Sequence, residues 1–209
     1  MAVVASSVLN RVRTQLIDNG STVRWTDSEL LSWLSDGQRA VVSFVPHAAP
    51  RTANLSLVAG NRQTIPTDGW RLITIYRNTT SGGGAGTSAL EVPRSVLDIQ
   101  YPTWTSSATS SVTVTHWCYD ERDPSVFWVY PYNTGAGYVQ INYSYMPPDL
   151  ASTAEELDLR DIFQTALFDY VMFRAHSKDS DYAAGQALAA AYFSSFQAHL
   201  APFMPARAA

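Results

Sequence analysis

The sequence predicts an α+β fold in which N- and C-terminal helices form a bundle and a central antiparallel β-sandwich or β-meander module is inserted between them. Three observations carry this. Apolar residues recur with a helical period near the N-terminus, alternate from about Arg51 to Tyr145 where Thr, Val, Ile, Tyr and Trp are enriched, and return to the helical period after "MPPDL". The expected segments are residues 1–50 for the first helices, 51–150 for the β module, 151–201 for a C-terminal helical hairpin and 202–209 for an extended tail.

Val4, Val8, Val12 and Leu16 share one face of the first helix, which Asn19-Gly20 is expected to end. In "WTDSELLSWL", Thr26 and Glu29 have capping-box spacing, and Trp25 and Leu30 occupy the positions of a hydrophobic staple. Leu30, Leu31, Leu34, Val41, Val42 and Val45 form a broad apolar face that Pro46 terminates. Beyond it, "NLSLVAGNRQTIP" reads as two short strands joined through Gly60-Asn61, and "WRLITIYRN" as a third. "SGGGAGTS" is a flexible tip leading to "ALEVP", and "SVLDIQYP" a short helix with Val96, Leu97 and Tyr101 on one face. "SVTVTHWCYD", "SVFWVYP" and "GYVQINYSYMP" read as a meander of antiparallel strands linked at Asp123-Pro124 and at Asn133 to Gly137. Leu159, Ile162, Phe163, Ala166, Leu167, Tyr170, Val171 and Arg174 outline a long helix, "SKDSD" a turn, and Tyr182 to Leu200 a last helix. The small face of that helix, Ala183, Ala187, Ala190 and Ala191, would admit another helix closely. Pro202 and Pro205 favour an extended tail, mobile until it orders against a partner with Phe203 and Met204 as anchors.

The formal net charge is −4, and the basic residues are nearly all arginines scattered from Arg11 to Arg207, with Lys178 the only lysine. Without a basic stripe, stable nucleic-acid binding is disfavoured. A single cysteine, Cys118, excludes an internal disulfide and a Cys-rich zinc site and fits a reducing compartment. The N-terminus lacks the layout of a signal peptide, and no apolar run approaches the ~20 residues of a membrane helix. The sequons at Asn54, Asn78 and Asn142 therefore read as chance matches.

Candidate chemistry is sparse. His116 and Cys118 share a strand face with Asp120 at its end, a set one ligand short of a closed zinc site, and a small apolar cysteine in a half-buried strand explains them. Asp120, Glu121 and Asp123 lack the glycine and distal glutamate of a calcium loop and read as a solvated turn. "SGGGAG" is followed by neither Lys-Ser/Thr nor a helix, so it does not cradle phosphate. No Gly-x-Ser-x-Gly elbow is present, and His47, His116, His176 and His199 lack a triad context. Neither cofactor, metal nor catalytic residue is expected. The aromatics rise above this background: Trp104, Trp117, Trp128, Tyr130, Tyr132, Tyr143 and Tyr145, which alternation divides between two sheet faces. One face can be core and the other a protein contact, where Tyr and Trp are enriched; a sugar platform is the alternative.

In their order, "DSELLSWLSDGQRAVVSFVP", "DERDPSVFWVYPYNTGAGYVQINYSYMPPDL" and "LDLRDIFQTALFDYVMFRAHSKDSDYAAGQALAAAYFSSF" resemble the head-to-tail connector (portal-adaptor) proteins of tailed phages, the short-tailed kind in particular. Residues 78–111 carry little of the resemblance. It implies a structural virion protein of the neck, assembled in the host cytoplasm into a ring of about twelve copies below the portal. Such a ring joins the portal to a tail or nozzle protein, and genomic DNA passes its channel without sequence-specific binding. It implies no catalytic residues and no membrane. The hairpin from Phe127 to Leu150 is then scaffold and contact surface, and the interface candidates are Trp104, Trp128, Tyr130, Tyr132, Tyr143, Tyr145, Phe203 and Met204. A virion-associated carbohydrate- or receptor-binding β module is the competing expectation.

Overall fold

The computed structural model describes residues 3–20, 22–106, 109–178 and 183–204. Its elements in chain order are α1 (Ala5–Leu16), α2 (Asp27–Phe44), β1 (Pro50–Ser56), β2 (Ala59–Thr64), β3 (Gly69–Thr79), β4 (Ala85–Ser88), β5 (Leu90–Glu91) and α3 (Arg94–Gln100). There follow β6 (Ser110–Ser111), β7 (His116–Tyr119), β8 (Val126–Thr134), β9 (Tyr138–Tyr145), α4 (Gln164–Lys178) and α5 (Ala183–Leu200). They form two compact units: Met1–Ala49 with Pro147–Ala209, and Pro50–Met146. The α+β class with helices at both ends and strands between is the observed architecture.

In the helical unit, α2 starts as its sequence requires. Thr26 Oγ1 accepts the Glu29 N–H at 3.3 Å, and the staple residues Trp25 and Leu30 are both buried. The expected apolar face, Leu30 to Val45, is buried throughout. α1 ends earlier than expected, at Leu16 and not at Asn19-Gly20. Ile17 takes a left-handed φ of 55°, its N–H bonds to Thr14 O at 3.3 Å, and the Asp18 N–H bonds to Arg13 O at 2.9 Å, a Schellman pair. The cause is Asp18. Its buried carboxylate accepts from Arg13 Nη1 at 3.0 Å and from the N–H groups of Arg24 (2.6 Å) and Trp25 (3.2 Å), and this capture turns the chain before the glycine is reached.

Residues 147–158 run as a strap whose backbone is satisfied by polar side chains of α2. Arg39 Nε donates to Pro147 O (3.2 Å), Leu150 N–H to Ser35 Oγ (3.0 Å), and Asp158 N–H to Gln38 Oε1 (3.1 Å). Leu159 and Phe163 are buried, but Arg160 is extended and only a 3-10 turn over Asp161–Phe163 precedes α4, so Ile162 points outward where the helical period placed it inward. α4 and α5 meet through Phe173 and Phe193, with ring centroids 5.0 Å apart, and Tyr170 and Phe196, 5.3 Å apart. Buried Asp169 accepts Ser195 Oγ–H at 2.7 Å, with His199 Nε2 3.4 Å away. Of the small face, Ala187, Ala190 and Ala191 are exposed, whereas Ala189, outside the expected set, is buried. Ala201–Phe203 form a 3-10 turn and not an extended tail, because the Phe203 ring packs edge-on against Phe163 at 5.3 Å. The expected turn beyond Lys178 and the tail beyond Met204 lie outside the described residues.

The β unit is two sheets face to face: β1-β9-β3-β4, and β2-β8-β7-β5 with β6 beside β8. Between them lies a core that includes Leu57, Leu72, Ile75, Trp117, Phe127, Val129, Val139 and Ile141. Burying each such side chain contributes about 1.5–3 kcal/mol. Several local expectations change here. β1 and β2 are linked at Leu57-Val58, join different sheets, and place Gly60 at a bulge within β2. The glycine-rich tip closes into β4, and "SVTVTHWCYD" divides into β6 and β7. β7 and β8 are antiparallel neighbours as expected, but β8 and β9 do not pair; the link at 135–137 carries the chain from one sheet to the other. Two short pairings, β5 with β7 and β6 with β8, are parallel.

Buried amides hold these short, irregular strands. Asn133 Oδ1 accepts the N–H groups of Gly135 (2.9 Å) and Gly137 (3.3 Å), while its Nδ2 donates to Val112 O (3.2 Å). Asn61 Nδ2 donates to Trp104 O (3.0 Å) and Val129 O (2.9 Å), and Gln63 closes the β1–β2 link onto Val58 and Gly60. Asn78 binds Val114 through both N–H and C=O, each at 2.7 Å. A buried peptide group left unpaired is costly, so these side chains replace the ladder bonds that regular strands would have supplied.

Candidate interaction surfaces

Alternation along β8 sends Phe127 and Val129 into the core between the sheets and leaves Trp128 and Tyr130 on the outer face. That face is partly covered by the chain itself. α3 and the turn after it lay Leu97 and Trp104 over Cys118, Trp128 and Tyr130, forming a second small core. Trp104 is only 2 % exposed, its Nε1–H donates to Asp98 Oδ1 at 2.7 Å, and its ring lies 5.8 Å from the Arg94 guanidinium. Arg94 also sits 5.3 Å over Trp128, and Tyr101 stacks on Tyr130 with centroids 4.5 Å apart. Trp128, Tyr130 and Tyr132 remain half-exposed. Arg94, Cys118, Tyr119, Asp120, Glu121, Arg122 and Trp128 line a cleft of about 470 Å³.

Tyr143 and Tyr145 are buried at the other sheet. The Tyr143 hydroxyl donates to Asp68 Oδ1 at 3.1 Å, and Arg51 lies 3.1 Å over the Tyr145 ring while pairing with Asp68 at 3.2 Å. These two rings and Trp104 are therefore spent on holding the β unit together, and have little surface left for a partner. Phe203 and Met204 are exposed at the end of the helical unit, with the Phe203 ring against Phe163. The structure thus brings Trp104, Trp128 and Tyr130 together in one small cluster, with Tyr132 further along the same strand, and places Tyr143 and Tyr145 on the other sheet and Phe203 and Met204 in the helical unit. Sequence reasoning missed Arg94 and Tyr101, although Val96, Leu97 and Tyr101 had been placed on one face of a short helix.

His116 and Cys118 do share that outer face, but no group of three His, Cys, Asp or Glu residues suited to a metal occurs among the described residues. Burial pushes the Cys118 thiol from 9.0 up to about 11, with Arg94 opposing and Asp98 adding to the rise. The thiol is protonated at neutral pH and is a packing group. Burial, and then the hydrogen bond to Asp68, also raise the Tyr143 hydroxyl. Both shifts favour the protonated form in the folded chain, so between pH 9 and about 11 the unfolded chain has released the Cys118 proton and the folded chain has not. Stability is expected to hold below pH about 9 and to fall as the pH rises from there. Urea midpoints measured across this range should show the fall, and Cys118→Ala should make it shallower.

A helical bundle carrying an inserted β-sandwich with a half-exposed aromatic face is the class of protein that this fold defines. The SU10 adaptor protein family matches residues 5–208, nearly the whole chain, and the chain belongs to that family. It is a family of phage adaptor proteins and not an enzyme family. No curated protein matches the chain. No helix among the described residues is long and apolar enough to cross a membrane.

Proposed function

We propose that the protein is a head-to-tail adaptor that forms a ring of about twelve copies in the virion neck, below the portal, joining portal to tail or nozzle around the DNA channel. The family match over residues 5–208, which spans both units, carries this reading. The net charge of −4 is in keeping with it, since a channel that gripped phosphate would retard the genome passing through. Host-cytoplasmic assembly before incorporation into the virion belongs to the same reading. The half-exposed aromatics Trp128, Tyr130 and Tyr132 are the contact residues on the β unit, and Phe203 and Met204 those on the helical unit.

The test is to mix the purified protein with portal rings and to examine the products by electron microscopy and native mass measurement. A portal capped by an added ring is the expected product. Trp128→Ala and Tyr130→Ala are each expected to cost about 2 kcal/mol or more at every subunit contact, enough to abolish the ring. Unchanged assembly by both variants would remove the aromatic face from the interface. A monomer that ignores portals and binds glycans through this face would favour a carbohydrate- or receptor-binding virion module.

A further inference from the structure

The turn after α1 holds the one Asn-Gly pair in the chain, and the fold makes no conformational use of it. The left-handed Ile17 and the Asp18 carboxylate already end α1, and Gly20 is not among the described residues with positive φ. A Cβ on Gly20 would meet only the Thr22 backbone, at 3.9 Å. Asn19 and Gly20 are both exposed, lie outside helix and strand, and make no hydrogen bond among the described residues. Every other asparagine lies within α1 or a β-strand and precedes a residue that carries a side chain.

We propose that Asn19-Gly20 is a self-modifying site, at which the Gly20 backbone nitrogen attacks the Asn19 side-chain amide and the asparagine becomes an acid. Once base removes the Gly20 amide proton, a bond forms from Gly20 N to Asn19 Cγ, the Cγ–Nδ2 bond breaks and ammonia leaves. Glycine has no Cβ to shield its nitrogen, and no hydrogen bond among the described residues holds the amide proton. Water then opens the resulting succinimide at either carbonyl. Cleavage at Cγ gives aspartate in an ordinary chain. Cleavage at the Asn19 main-chain carbonyl gives isoaspartate, with an extra carbon in the chain path. Either way an amide and water become a carboxylate and ammonium, and nothing is oxidised or reduced.

The position gives the product an effect. Asn19 lies in a loop that the Asp18 carboxylate closes, accepting the N–H groups of Arg24 at 2.6 Å and Trp25 at 3.2 Å while Arg13 holds it from α1. A new carboxylate beside Asp18 repels it and stands just past the C-terminal carbonyls of α1, where negative charge is unfavourable. Isoaspartate also lengthens the loop that Asp18 closes. Both changes loosen the corner between α1 and α2. The inference is independent of the ring reading.

The test ages the full chain in mildly alkaline buffer and digests it with trypsin, which releases Thr14 to Arg24 with Asn19 as its only asparagine. Mass spectrometry reads the amide-to-acid exchange, and labelling by an isoaspartate methyltransferase reports the rearranged product. Residue 19 is expected to convert at least about tenfold faster than any other asparagine, and Gly20→Ala to remove that excess. Ageing is expected to lower the unfolding temperature of the parent by about 2 to 4 °C and to leave that of Gly20→Ala at its fresh value. Conversion of residue 19 no faster than elsewhere overturns the site. Full conversion with an unchanged unfolding temperature overturns the link to the Asp18 corner. An equal loss in aged Gly20→Ala, its residue 19 intact, does the same.

Discussion

Asn78→Leu is expected to lower the stability of the β unit by about 3–5 kcal/mol, a large part of the roughly 5–15 kcal/mol that holds a domain folded. Asn78 lies on β3 and is buried. Its Nδ2 donates to Thr87 O (2.9 Å), Thr87 Oγ1 (3.1 Å) and Val114 O (2.7 Å), and its Oδ1 accepts the Val114 N–H (2.7 Å). Leucine matches the size but pairs none of these groups, leaving peptide donors and acceptors stranded beside the core. Urea unfolding should show a lower midpoint with an unchanged slope. Asn54→Leu is the control: the Asn54 amide also bonds Thr79 Oγ1, Thr80 O and Ser81 O, but on an exposed edge strand where water can replace it, so stability should change by about 1 kcal/mol or less. A loss at Asn78→Leu of about 1 kcal/mol or less would mean that the Val114 backbone finds other partners.

The second large effect is expected at the crossing between the sheets. A Cβ on Gly137 would stand 2.4 Å from Val112 O and 2.5 Å from Asn133 Nδ2, distances that no side-chain carbon tolerates. The two neighbours are also bonded to each other at 3.2 Å, so moving either breaks the clamp that shapes the corner. Gly137→Ala is expected to cost about 2–4 kcal/mol, through displaced backbone and a lost buried hydrogen bond. Gly82→Ala, where nothing lies within 4 Å, should be close to neutral. Equal stability of both variants would show that the corner yields without cost.

What the sequence made legible follows the range of the interactions. Thr26, Glu29, Trp25 and Leu30 sit within one helical turn of each other, and the start of α2 could be read from them alone. Alternation likewise separated Phe127 and Val129 from Trp128 and Tyr130, because side-chain direction along a strand is local. Which strand pairs with which is not. A hairpin and a sheet-to-sheet crossing show the same alternation on either side of a glycine-containing link, and the choice rests on Asn133 meeting Val112 across 21 residues of sequence. Asparagines that would ordinarily signal turns proved to be buried clamps, and Asn78, noted only within a sequon, is one of them. The aromatic face was legible as a face but not as a half-covered one, since Trp104 arrives from a distant segment. At Ile17 the nearby Asn-Gly pair drew the helix end toward itself, while the deciding group was the Asp18 carboxylate.

The strap has a further consequence, for the order in which the chain can be completed. α1 and α2 leave the ribosome first, yet Gln38 finds Asp158 only 120 residues later and Ser35 finds Leu150 only 115 residues later. The β unit, by contrast, is one continuous stretch, and its first and last strands pair, with Pro50 opposite Ser144. Entry and exit of that stretch lie side by side, as in a domain inserted into a host. The β unit can therefore finish folding while α1 and α2 still wait for the strap, α4 and α5, which are made after it, and the helical unit closes last.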